Sequence, residues 1–408
     1  MSDSTKPAYG ATGARLSAMM FLQFFLWGGW YVTVGNYMGA NGMKDQIAWA
    51  YSLCPIAAII SPFFLGMVAD RFFATERVLA AMHLLGGATL LAAPWAATQS
   101  PTHFILVLLL HTVFFMPTLG LTSTLAFHHM DNPEKQFPMV RVFGTIGWIA
   151  ANIVVSKWLH GDEHAIQFYV AGGAALLLGV YSFTLPHTPP PAAGKEANIR
   201  DILGLDSLSL LKRPAFAIFI LSSFLICIPL AFYYSFAPVF VSAIGVKDPA
   251  FNMSFGQMSE MFFMLVMPFC FARLGVKWML LTGMFAWVAR YGFFAGATQT
   301  GLLPLVMAGI VLHGVCYDFF FVTGQIYVDQ VADIKIRGQA QGFLVLITQG
   351  LGMLIGAQVA GLIVKANTVG NTVQWFNVWL IPCIAAAAVM ILFGLTFSNR
   401  RTADAQAA

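Results

Sequence analysis

Twelve stretches of about 20 largely apolar residues follow one another along this chain, most of them separated by only a few residues. No soluble fold accommodates that pattern. In a bilayer every backbone N–H and C=O must be satisfied within the segment itself, so such runs are helices. With Gly, Pro and charge as punctuation, the expected spans are 16–38, 46–69, 78–98, 102–128, 138–159, 166–186, 215–243, 253–273, 278–297, 301–330, 338–365 and 375–397. The expected fold class is therefore an all-α integral membrane protein with twelve transmembrane helices.

Composition narrows the function. Only 9% of the 408 residues are charged, against roughly 25% in a soluble domain, which excludes an ordinary cytosolic enzyme. The 21 Lys and Arg are spread too thinly to build a phosphate-binding face, so no nucleic-acid partner is expected and the lipid bilayer is. All five cysteines lie in apolar runs without paired spacing and read as buried free thiols. No metal-ligand spacing, nucleotide-binding loop or nucleophile elbow occurs, so no cofactor is expected. Residues 1–14 are polar and no cleavage site follows the first apolar run, which is expected to be retained.

The longest connection, 187–213, opens with Pro189, Pro190 and Pro191 and carries Lys195, Arg200, Lys212 and Arg213. It divides the chain into an amino-terminal bundle, 1–186, a cytoplasmic linker, 187–213, and a carboxy-terminal bundle, 214–408. With the amino terminus inside, cytoplasmic segments hold fifteen Lys and Arg and outer segments hold four, so both termini are expected in the cytoplasm. The halves also repeat. Arg71 and Arg273 sit in equivalent basic turns, and His111 and His313 in equivalent apolar helices, both at an offset of 202 residues. Two parallel six-helix repeats follow. The turn Gly66-Met-Val-Ala-Asp70-Arg71-Phe…Arg77 resembles the loop motif of the major facilitator superfamily. Asp70, Arg71 and Arg77 are expected to latch one conformational state by charge-assisted contacts, or to anchor helix ends.

Four ionisable residues fall inside spans: Arg141, Glu260, Arg290 and Asp318. An embedded charge costs about 2.5–3.5 kcal/mol on insertion scales, so each should face a bundle interior or a wet cavity. Glu260 lies thirteen residues above Arg273, and Arg290 thirteen above Lys277, which puts both about 20 Å above the inner surface. They are expected to pair, directly or through water. Asp318 lies near the bilayer midplane among Tyr317, Phe319, Phe320 and Phe321, with no basic residue in its own helix. Desolvation there favours the protonated carboxyl and makes Asp318 a candidate proton carrier, the alternative being a permanently protonated aspartate bonded to a neighbouring helix.

Gln257 shares a helical face with Glu260, an amide beside a carboxylate that suits a ligand which both donates and accepts hydrogen bonds. Arg141 stands one turn before Thr145 and could hold a carbonyl-bearing ring, pair with an embedded carboxylate, or anchor the helix at the interface. Trp27, Trp30, Trp148, Tyr233, Tyr234 and Tyr317 are placed for stacking on a planar ligand, although packing and belt roles are commoner for such residues. His83, His111 and His313 are isolated on apolar helices and read as core histidines. The glycines from Gly338 to Gly361 read as close-packing positions.

As an ordered set, several phrases resemble the nucleoside:proton symporter family of the major facilitator superfamily. They are Leu22-Gln23-Phe-Phe-Leu-Trp27-Gly-Gly-Trp30, Met116-Pro-Thr-Leu-Gly-Leu-Thr122, Phe137-Pro-Met-Val-Arg141-Val-Phe-Gly-Thr145, Leu185-Pro-His187, Leu203-Gly-Leu-Asp206, Gln257-Met-Ser-Glu260, Tyr317-Asp318-Phe-Phe and Ala340-Gln341-Gly342. The resemblance implies the major facilitator fold and proton-coupled nucleoside uptake by alternating access across a bacterial inner membrane; a monomer is expected. It places Arg141, Thr145, Gln257, Glu260, Tyr317 and Asp318 around a central site, with the two carboxylates coupling protons; Gln23, Trp27 and Tyr234 join the substrate-binding set, and Arg290 is structural. One departure stands out: the family leads one to expect amides on the seventh span, where this chain reads Leu230-Ala-Phe-Tyr233-Tyr234. That departure admits another sugar-containing solute. Competing functions are a facilitator or exporter and, in another class, a membrane enzyme using Glu260 and Asp318 as an acid–base pair.

Overall fold

A computed structural model of the protein describes residues 9–64, 72–190, 205–334 and 336–398. It is helical almost throughout. The first six helices are α1 (Tyr9–Tyr31), α2 (Ile47–Phe64), α3 (Thr75–Gln99), α4 (Pro101–His128), α5 (Pro133–Asn152) and α6 (Ile166–Ser182). A short helix, Val34–Ala40, prolongs α1, and a π-helical turn, Ile153–Trp158, prolongs α5. Ser100 and Asn132 cap α4 and α5: each side chain accepts a backbone N–H from the first turn, and a proline follows at the first helical position.

The second six begin with α7 (Pro214–Ala243). A continuous helical stretch, Pro249–Thr300, then holds α8 and α9, broken only at Gly275, whose φ of 65° and ψ of 178° no side-chain-bearing residue adopts without strain. The sequence suggests a short basic loop at this place. The structure shortens it to one residue, with α8 ending at 274 and α9 starting at 276. Next come α10 (Leu303–Val331), α11 (Arg337–Ala366) and α12 (Trp375–Thr396), with a two-residue hairpin, β1 (Thr368–Val369) and β2 (Thr372–Val373), between the last two. Both α10 and α11 contain a π-helical turn, Asp318–Val322 and Leu346–Gly352.

The chain forms two compact units, Met1–Gln46 with Ile60–Ala197, and Ile47–Ile59 with Asn198–Ala408. Within the first, α1 packs on α5 and α6, and α3 on α4 and α6. Within the second, α7 packs on α11 and α12, and the α8–α9 stretch on α10 and α12. The pairing in the first unit recurs six helices later, as expected of two six-helix repeats. A first core gathers Leu16, Met19, Leu26, Leu79, Leu125 and Leu178, all fully enclosed, and a smaller second one joins Met267, Met279 and Phe319. Lys277 turns its ammonium onto the end of α12, donating to the carbonyls of Gly394 at 2.8 Å and Phe397 at 2.7 Å, where the helix leaves acceptors unfilled.

Asp70 and Arg71 lie outside the described residues, as does 191–204 of the linker. Arg77, the last member of that motif, is exposed at the first turn of α3. Beside it Glu76 fastens the chain leaving α6. Its Oε1 meets His187 Nδ1 at 2.9 Å, and its Oε2 accepts the Thr188 N–H at 3.0 Å. His129 Nε2 reaches Thr188 Oγ1 at 2.8 Å, and partial burial together with neighbouring His128 pulls this imidazole below the usual histidine range.

Candidate functional site

In the first unit the expected site residues gather on the facing sides of α1, α4 and α5. Gln23 is fully enclosed and its amide donates to Thr118 Oγ1 at 2.7 Å, which fixes the amide orientation and leaves Oε1 without a hydrogen-bond partner among the described residues. Trp27, four residues on, sets its ring edge-on against Trp148 at 5.4 Å and tilted against Phe115 at 5.4 Å. Arg141 on α5 is half-buried and lays its guanidinium over the Phe24 ring at 4.2 Å, with half-buried Thr145 one turn beyond. This unit presents an aromatic wall, an amide and one cation.

In the second unit the polar groups are denser. Glu260 on α8 is 15% exposed, and its Oε2 stands 3.8 Å from Nε2 of His313 on α10, an imidazole that is 2% exposed. Close approach of the two backbones makes this possible: a Cβ on Gly314 would lie 2.6 Å from the Ser259 carbonyl and 2.7 Å from the Glu260 nitrogen. The His313 ring stacks on Tyr233 at 5.3 Å with 18° between planes, meets Tyr234 edge-on at 6.1 Å, and is tilted against Tyr317 at 5.7 Å. Gln257, half-buried one turn before Glu260, holds a buried Oε1 without a hydrogen-bond partner among the described residues.

The expected Glu260–Arg290 pair is not what the structure forms. Arg290 is fully enclosed; its Nε donates to the Gly309 carbonyl at 3.1 Å and its guanidinium lies 3.9 Å over the Tyr233 ring. Equal depth places two side chains at one level, and azimuth around the helix decides what each meets. Arg290 meets α7 and α10, while His313 takes the place beside Glu260. Tyr233 stands within electrostatic reach of both charges. A desolvated cation–π contact contributes about 2 kcal/mol, well short of the cost of enclosing a guanidinium, and Nη1 and Nη2 have no hydrogen-bond partner among the described residues.

Asp318 begins the π-helical turn of α10, a distortion often found where a helix carries function. Its carboxyl is fully enclosed, neither oxygen has a hydrogen-bond partner among the described residues, and Glu260 is its electrostatic neighbour. Of the two alternatives the sequence left for Asp318, the structure takes the enclosed interior, whereas Glu260 is 15% exposed. Tyr317 and Tyr234 are half-buried, at the boundary between that enclosed interior and the accessible face. His313 is the member the sequence did not nominate; its repeat partner His111 and a carboxylate on the adjoining helix were the signals available.

A bundle of two six-helix repeats, bearing embedded acids on one repeat and an aromatic wall with an arginine on the other, is the build of a secondary transporter of the major facilitator fold. The profile of the nucleoside H+ symporter family matches residues 11–402, and the chain belongs to that family. It is similar to the xanthosine permease of Escherichia coli (strain K12), 35% identical with 94% of this chain and 96% of that protein covered. It is equally similar to the nucleoside permease NupG of the same organism, 35% identical with 93% and 95% covered. The crystal structure of NupG superposes with a TM-score of 0.84 at 31% identity, covering 95% of this chain and 99% of that one. The protein is thus a proton-coupled nucleoside symporter, a multi-pass membrane transporter and not an enzyme, which removes the acid–base catalytic alternative for Glu260 and Asp318.

Proposed function

We propose that Glu260 and Asp318 form a two-carboxyl proton site, with Glu260 as the exposed member and Asp318 as the enclosed one, and that Gln257 and Glu260 hold the hydroxyl and amide groups of the nucleoside. The observation that carries this reading is the gradation between the two acids, 15% exposure at Glu260 and none at Asp318, on helices α8 and α10 whose backbones approach closely at Gly314. A proton entering at Glu260 reaches Asp318 without crossing lipid. Tyr234 and Tyr317 offer ring faces to the base. Gln23, Trp27, Arg141 and Thr145 supply further substrate contacts from the first repeat, and Arg77 acts with Asp70 and Arg71 in gating.

The transporter works by alternating access in a bacterial inner membrane, as a monomer with both termini in the cytoplasm, and is organised as 1–186, linker 187–213, and 214–408. Each inward proton brings about 2.3 kcal/mol per 100 mV, enough for concentrative uptake. The test is Asp318→Asn in proteoliposomes under an imposed proton gradient, with a panel of purine nucleosides, pyrimidine nucleosides and free sugars. Loss of accumulation with retained counterflow supports the assignment. Accumulation at the wild-type level removes Asp318 from coupling, and accumulation of sugars alone overturns the substrate class.

A further inference from the structure

His313 is absorbed by none of these roles, yet its surroundings are specific. The side chain is 2% exposed, and Nδ1 is buried without a hydrogen-bond partner among the described residues. The tautomer with its proton on Nε2 leaves no buried donor unmet, and that nitrogen faces Glu260 Oε2 at 3.8 Å. Stacking on Tyr233, with Tyr234 and Tyr317 at its edges, fixes the ring plane. The repeat-related His111 lacks this arrangement: its Nδ1 meets the Gly86 carbonyl at 2.8 Å, and its ring stacks on Phe115. A histidine used only as filler needs no carboxylate partner, so the contact to Glu260 is the feature to be explained.

We propose that His313 is the positioning residue of the proton and substrate site: its Nε2–H, 3.8 Å from the Glu260 carboxylate, holds that group by short-range electrostatic attraction while no ligand is bound and gives it up when nucleoside or proton arrives. The inference rests on the reading of Glu260 as a ligand or proton group. Around the pair, the other titratable and charged groups are Arg290 from α9, Tyr233 and Tyr234 from α7, and Cys316, Tyr317 and Asp318 from α10. Arg290 lies over the Tyr233 ring on which His313 stacks, so the imidazole has a fixed cation in its surroundings as well as the Glu260 carboxylate. A donor in that place compensates Glu260 without adding a second full positive charge.

The experiment uses the intact purified protein and three replacements. Gln carries an amide N–H near the place of Nε2, Asn carries one near Nδ1, and Phe keeps the stacking and gives up both. The first readout is infrared difference spectroscopy of carboxyl protonation against pH, with the Glu260 band identified by its loss in Glu260→Gln. Removing a donor to the ionised form favours the protonated one, so the midpoint moves upward in His313→Phe and His313→Asn and returns in His313→Gln. An unmoved midpoint in His313→Phe, or no return in His313→Gln, overturns the proposal. The second readout is nucleoside affinity in proteoliposomes. His313→Phe raises the KM roughly tenfold or more, His313→Gln stays within about threefold of wild type, and His313→Phe costs little further in a Glu260→Gln background. Full additivity of the two substitutions overturns the proposal. A wild type that moves no nucleoside but shows the infrared coupling defeats the functional reading and leaves the His313–Glu260 link standing.

Discussion

His111 and His313 occupy the same place in the two repeats, 202 residues apart, both enclosed on the fourth helix of their unit and both stacked on an aromatic ring. Their polar neighbours differ. His111 hydrogen-bonds the backbone carbonyl of Gly86, an acceptor that never changes charge, whereas His313 faces a carboxylate that does. Duplication supplied one scaffold twice, and the repeats diverged in what they place opposite the imidazole. The first unit ties its buried acids Glu76 and Asp162 to His187, Thr188 and Ser156 and offers rings, an amide and Arg141; the second encloses Asp318 and Arg290 and leaves Glu260 15% exposed.

The sharpest way to break this comparison is at the acids. Asp318→Asn is expected to abolish proton-driven accumulation while counterflow persists, and Glu260→Gln to lose both accumulation and roughly a hundredfold in substrate affinity, read by proteoliposome uptake and equilibrium binding. An equally large loss of coupling from any replacement in the first unit would dissolve the distinction between the repeats. Next in size is the histidine pair. His111→Phe is expected to lower thermal stability by about 1 kcal/mol with the KM unchanged, since it removes one hydrogen bond to a Gly86 carbonyl that Thr89 also satisfies, while His313→Phe changes the KM; scanning calorimetry beside transport kinetics separates them.

Smaller effects sharpen the picture. Arg290→Lys keeps the charge but gives up the flat guanidinium over Tyr233, and a lower melting temperature with residual transport is expected from thermal denaturation followed by fluorescence. Gln23→Leu should raise the KM a fewfold, less than Gln257→Leu, because the Gln23 amide is already committed to Thr118. The smallest effect is at the linker anchor. His129 has a folded-state pKa below its unfolded value, so the stability it contributes is present above about pH 6.5 and is lost as pH falls through that value towards the folded one. The drop in melting temperature between neutral and mildly acidic buffer should shrink in His129→Ala.

Much of this fold was legible as hydropathy, because a span in lipid has to be both apolar and long. What escaped was local geometry. The π-helical turn at Asp318 and the single-residue break at Gly275 leave no mark on a hydropathy profile, although Gly275 is where a left-handed backbone could have been suspected. The candidate site residues were visible because a charge inside an apolar run is conspicuous. Their partners were not: counting residues from Arg273 and Lys277 gives depth, and nothing in that count says that Arg290 turns to Gly309 and Tyr233. His313 was not singled out because its repeat spacing to His111 speaks of the fold and not of a partner; the partner comes from the packing that Gly314 permits.

The elbow at Gly275 has a practical corollary. Two rods joined by a single residue share one fate: neither can slide along its axis without dragging the other, so Glu260 and Arg290, each fifteen residues from the joint, travel as a pair. Such a joint tolerates no cargo, and a fluorescent tag or epitope inserted there would pry the rods apart. The exposed tip of the small hairpin at Gly370 is where a reporter can be carried without disturbing either acid.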